Sequence, residues 1–135
     1  MAIVGRAPPQ GSSWAAQDGR WLLGLSNGLN RSFQNGITAH SGGTKAAAFQ
    51  LPANVAQFEI DTVAAGNDSV LLPAAKVGQT VMVFNAAAAN TLNIYGKGTD
   101  TINLVATATA YALTTGQCAM FFCSKDGSWA AIKSA

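Results

Sequence analysis

From residue 58 onward, short apolar segments alternate with turn signals at roughly ten-residue intervals, and few folds accept that pattern. Residues 58–63 alternate strictly: Phe58, Ile60 and Thr62 share one face, and Glu59, Asp61 and Val63 share the other. Further strands are predicted at 69–72, 80–84, 91–95, 101–104, 110–113, 118–123 and 129–132. Asp126-Gly127 supplies the positive φ that a tight hairpin turn requires. No helical crossover separates these strands, which argues against a parallel α/β sheet. No period is strict enough for a solenoid; the turns Ala65-Gly66-Asn67, Val77-Gly78-Gln79 and Thr115-Gly116-Gln117 read as shared turn chemistry. The expected fold is all-β: a small antiparallel β-sandwich, jelly roll or barrel-like domain, preceded by an N-terminal arm and a short helix.

Two strands carry more apolar residues than one buried face needs. Thr80-Val81-Met82-Val83-Phe84 is apolar at both parities, as expected of a strand buried on both faces or covered by a partner. The 118–123 segment, with Met120, Phe121 and Phe122, is a second such run, and both are candidates for a core that extends to an oligomer axis. Charged residues make up 10% of the chain, against about 25% in an ordinary soluble domain. So few charges point to a surface partly covered by other chains; the rival is a monomer faced with Ser, Thr, Asn and Gln.

Upstream, residues 1–35 read as an arm with Pro8 and Pro9, then a helical segment; residues 36–135 read as the β-rich domain. Trp21, Leu25, Leu29 and Phe33 recur four residues apart along one helical stripe, with Asp18 as a candidate cap and Asn35-Gly36 as the stop. Together with Trp14 they form the candidate interface, since tryptophans anchor contacts between chains. The same residues would also serve as a lid on the domain's own core.

The inventory for chemistry is thin. His40 is the one histidine, and it has no acid near it in sequence. Glu59 and Asp61 share a strand face, which suits a solvated surface or an intersubunit ion pair. Asp68, Asp100 and Asp126 fall in turns, where carboxylates accept from backbone N–H groups. Cys118 and Cys123 lie on opposite strand faces and lack the spacing of redox or zinc motifs. No catalytic residue, metal site or cofactor is expected. The eight scattered Lys and Arg form no basic patch, so no nucleic acid partner is expected. Met1-Ala2-Ile3-Val4-Gly5-Arg6 lacks a secretory apolar region, and no run reaches the ~18 apolar residues of a membrane span, so no membrane partner is expected.

The order Asp68-Ser69-Val70-Leu71-Leu72-Pro73, Gly78-Gln79-Thr80-Val81-Met82-Val83-Phe84, Thr91-Leu92-Asn93-Ile94-Tyr95, Gly98-Thr99-Asp100-Thr101-Ile102 and Asp126-Gly127-Ser128-Trp129 resembles small virion proteins of tailed bacteriophages. Capsid decoration (cement) proteins and head or tail fibre modules belong to that group. The resemblance implies a structural, non-enzymatic virion protein on the capsid surface, made in the host cytoplasm. It would bridge neighbouring copies of the major capsid protein and self-associate as a homotrimer. Binding only the assembled lattice, it would stabilise that lattice by mass action. The alternative is a head or tail fibre module with receptor or glycan binding at loops such as 86–90 and 96–100.

Overall fold

Alternation of inward and outward side chains places the strands close to where the sequence predicts them. A computed structural model describes residues 32–135. Among these residues, β1 (Phe33–Thr38), β3 (Gln57–Thr62), β5 (Thr80–Asn85), β9 (Cys118–Lys125), β10 (Ser128–Lys133) and β7 (Thr101–Ile102) form sheet A in that order. β2 (Phe49–Gln50), β4 (Ser69–Leu71), β6 (Leu92–Tyr95) and β8 (Tyr111–Leu113) form sheet B.

The pairing corrects the expected fold class. From β1 to β6, consecutive strands alternate between the sheets, and hydrogen bonds join each strand to the next but one. β1, β3 and β5 are parallel neighbours, as are β2, β4 and β6. The chain is a β-solenoid of about four parallel-coil turns, not an antiparallel sandwich, jelly roll or barrel. Parallel pairing needs no helical crossover here, because the opposite sheet carries the chain back to the start of each coil. Evenly spaced strands and turns are common to a meander and to a coil; only the direction taken at each corner separates them.

The register shows the period that the sequence hides. Phe33 pairs with Gln57 and Gln57 with Met82, while Phe49 pairs with Val70 and Val70 with Ile94. The inward ladder runs from Ile37 to Ile60 to Asn85, so one position of the repeat changes from apolar to polar. Asn85 is fully buried and satisfied: its amide donates to the carbonyls of Asn90 (3.1 Å) and Leu113 (2.9 Å), and its oxygen accepts from Ala87 N at 3.2 Å. Past β6 the coil is closed by antiparallel pairing, β9 on β5 and β8 on β6, and the Asp126-Gly127 turn folds β10 back on β9.

Three corners share one construction. In 65–68, 76–79 and 114–117 the fourth residue's N–H donates to the first residue's carbonyl, at 3.2, 3.1 and 3.0 Å. The third residue, Asn67, Gly78 or Gly116, has positive φ, as a type II turn demands. The fourth side chain then accepts from the first residue's N–H: Asp68 from Ala65 (3.1 Å), Gln79 from Lys76 (2.9 Å) and Gln117 from Thr114 (3.0 Å). The similarity seen in sequence is therefore a repeated corner.

The expected helix over 14–34 lies outside the described residues up to Arg31, and its last two positions, Phe33 and Gln34, open β1 instead. Gly36, at φ +70, sits at a register shift inside that strand rather than ending a helix, and its N–H donates to the Asp61 carboxylate.

Between the sheets lie Trp129, Phe58 and Phe121, all fully buried or nearly so. Tyr111 of sheet B meets Phe121 of sheet A edge-on at 5.4 Å. Lys133 sits over the Tyr111 ring at 5.5 Å and donates to Ala112 O at 3.0 Å, tying the sheets together at the end of the chain.

Gly96 tests how tightly the coil is wound. A Cβ there would lie 2.5 Å from the Asp100 carbonyl oxygen and 3.0 Å from its carbon, neither of which can swing away. Gly96→Ala should therefore lower the unfolding free energy by about 1–3 kcal/mol in urea titration. A loss below about 0.5 kcal/mol would show that the loop yields.

Candidate assembly surface

Of the candidate interface residues, Trp14, Trp21, Leu25 and Leu29 lie outside the described residues. Phe33 lies in β1, on the outer face of sheet A, and is 56% exposed. The strand register aligns it with other outward side chains. One row across the sheet reads Phe33, Gln57, Met82, Met120 and Ile132; a second reads Thr80, Phe122 and Ala130; a third reads Glu59, Phe84 and Cys118. Strands β5, β9 and β10 carry the apolar part of this face, and charge enters beside them through Glu59 and Asp61 on β3, the second strand from the β1 edge. Phe122 is 40% and Ile132 59% exposed, while Met82, Phe84, Cys118 and Met120 are half-buried by their neighbours. A shallow depression of about 160 Å³ lies among Phe33, Gln57, Glu59, Met82, Phe84 and Cys118.

The outer face of sheet B is built differently. Ser69, Asn93 and Tyr95 point outward there, yet all are buried, and residues 43 and 44 lie against the Ser69 and Tyr95 side chains. Tyr95 donates its hydroxyl hydrogen to Gly43 O at 2.8 Å, and Ser69 donates to Thr44 O at 3.2 Å. Lys45 reaches on to the carbonyls of Gly98 (2.5 Å) and Thr107 (3.0 Å). The chain thus caps part of the outer face of sheet B itself, while Gln50 and Ala112 stay exposed there and the outward Leu71 is half-buried. Among the described residues, no segment lies over the apolar outer face of sheet A in the same way.

The residues weighed for chemistry take structural places. His40 holds a two-way backbone bridge to Ser69, at 3.0 and 2.9 Å. It lines an open groove of about 580 Å³ with Gln34, Ile37, Phe49 and Asp68. The structure therefore does bring His40 and an acid to one groove, although the Asp68 carboxylate is turned to Ala65 N. Asp100 accepts from Ala75 N at 2.7 Å and Asp126 from Val77 N at 2.8 Å. These are bonds between distant segments rather than the local turn bonds expected from sequence. Cys118 faces outward and Cys123 inward, both as free thiols. Among the described residues, no group of three or more His, Cys, Asp or Glu is placed to share a metal ion, and no helix is long and apolar enough to cross a membrane. No protein-family model matches the chain, and comparison with curated proteins gives no match.

Sequence reasoning read 80–84 as buried on both faces or covered by a partner, and took 80–84 and 118–123 as candidates for a core that extends to an oligomer axis. The register divides both runs: Val81, Val83, Ala119, Phe121 and Cys123 point in, and Met82, Phe84, Cys118, Met120 and Phe122 point out.

Two measurements test this assignment of roles. Asp100→Ala leaves the Ala75 N–H without its acceptor and should cost about 1–3 kcal/mol of stability in urea titration; an unchanged midpoint would remove Asp100 from the coil's supports. Burial also holds the Cys118 thiol and the Tyr111 phenol above their ordinary values of 9.0 and 10.0, because the charged forms lose hydration. The folded chain binds these protons more tightly than the unfolded chain. Their contribution is complete below pH 9.0 and is lost as pH rises through the folded-state values. Cys118→Ser should flatten the first part of the alkaline decline in unfolding midpoint, and an identical slope in both proteins would contradict a buried thiol.

Proposed function

We propose that this chain is a structural, non-enzymatic module of a bacteriophage virion, of the fibre type, that works by self-association. The observation that carries the reading is the parallel coil. Each coil turn contacts chiefly its neighbours, so the fold is a quasi-one-dimensional scaffold that presents side faces along its length. Such an architecture suits a fibre module better than a decoration protein that bridges capsid subunits at a point. The virion setting rests on the resemblance of the 66–130 region to tailed-phage proteins. The commitment of Asp61, Asp68, Asp100 and Asp126 to backbone N–H groups supports a structural role for the acids.

Capsid decoration, with the major capsid protein as partner, is the second reading. The scarcity of charge favours it and the fibre reading alike. Receptor or glycan binding at 86–90 and 96–100 would be an added property of a fibre module. These loops are braced: Asn90 donates to Val63 O at 2.8 Å, and Lys45 holds Gly98 O.

Light scattering on the purified chain tests the proposal. A defined oligomer at micromolar concentration is expected, and removal of residues 1–16 should leave its order unchanged, since the coil lies within 32–135. A monomer up to about 100 μM, far above the Kd of ordinary specific complexes, would overturn self-association.

A further inference from the structure

Resting on that reading of self-association, we infer that the outer face of sheet A is the contact surface and that its occupant is the same face of a second copy, related by a two-fold axis. The inference begins from the contrast between the two sheets. Residues 43 and 44 bond to the outward polar side chains Ser69 and Tyr95 of sheet B and so cap part of its face. Sheet A presents Met82, Phe84, Met120, Phe122 and Ile132 side by side across three neighbouring strands. A solvated strand face normally alternates polar against the inward apolar set. Here both parities are apolar over β5 and β9.

The dimensions suit a paired sheet. Five strands at about 4.8 Å spacing, each about 20 Å long, give a face of about 480 Å². Two such faces together exclude about 960 Å² as a planar floor, and the corrugation of side chains raises it past the ~1,000 Å² of a specific interface. A single face with an apolar centre is complementary to itself, since a two-fold axis places the centre on the centre. Glu59 and Asp61 lie on β3, inside the β1 edge and beside the apolar strands, so the two-fold pair must be centred on β9 to keep them away from the middle of the contact. Stacked sheets pack about 10 Å apart, a spacing that bulky side chains from two faces fill. Methionines at the middle of the contact adapt their shape to the facing copy. A three-fold assembly would need each copy to present two different surfaces or to converge on an axis, and one broad face favours the pair.

The test uses the full chain at graded concentrations. The intact protein is expected at twice the monomer mass by light scattering. Phe122→Glu, at an outward and 40% exposed position, should weaken the association at least about thirty-fold while leaving the far-ultraviolet circular dichroism unchanged. Leu104→Asn is the control: Leu104 is 84% exposed, lies outside this face and has positive φ, which asparagine tolerates. Its mass should match that of the intact chain. A folded Phe122→Glu protein that stays associated would overturn the assignment of the face and leave self-association standing. A trimer of the intact chain would overturn the two-fold pairing alone, and a monomer would overturn both. Should Phe122→Glu unfold, the Cys118 thiol of the intact protein decides. Its reaction with a disulfide reagent should slow above the association midpoint, and equal rates on either side would remove the face from the contact.

Discussion

The fold depends on how the chain satisfies its backbone donors where it leaves a strand. A coil must turn at every corner without losing N–H groups to a dry interior, since each unpaired buried donor costs about 1–3 kcal/mol. Here side-chain oxygens take that task at the part-buried Ala65 and Ala75 donors, and order exposed turns at Lys76, Val77 and Thr114. Asp68, Gln79 and Gln117 close three corners on themselves, each with positive φ at the third residue of the turn. Asp100 and Asp126 close longer distances, fastening Ala75 and Val77 to later turns of the coil. With corners held in this way, a chain rich in alanine and poor in large side chains keeps a parallel ladder without helices to cover it.

The same constraint explains what could be read in advance. Strand positions follow from alternation, which local sequence records: 58–63, 69–72, 80–84 and 91–95 each lie within a residue or two of β3, β4, β5 and β6. Corner chemistry is also local, and the three similar turns proved to be one device. Strand pairing is not local. Whether 69–72 hydrogen-bonds to its sequence neighbour or to the strand beyond it depends on the bend between them, and Asn67 at φ 78 looks in sequence like any hairpin residue. The repeat was hidden further because paired positions share a direction and not a residue type: Phe33, Gln57 and Met82 stack outward, and Ile37, Ile60 and Asn85 inward. The four-residue stripe ending at Phe33 shows the reverse hazard, a helical period whose last member belongs to a strand.

The candidate surface was half legible. Its signal is apolarity at both parities of 80–84 and 118–123, and a fully buried strand gives the same signal. Sequence cannot tell a second face covered by the same chain from one left for another, because that depends on where a remote segment folds. Residues 43 and 44, remote in sequence from β6, turn out to cap part of sheet B. Once that cap is assigned, the outer face of sheet A stands apart as apolar surface that the described chain does not bury. A protein that spends so few charges on its surface, yet builds a polar cap over part of one sheet, has distributed polarity unevenly between two faces of one coil. Exposure alone does not carry the argument, since Val77, Leu104 and Val105 stand exposed outside the strands. Register does: Met82, Phe84, Met120, Phe122 and Ile132 lie side by side on three adjacent strands, where the rows of a second sheet can meet them.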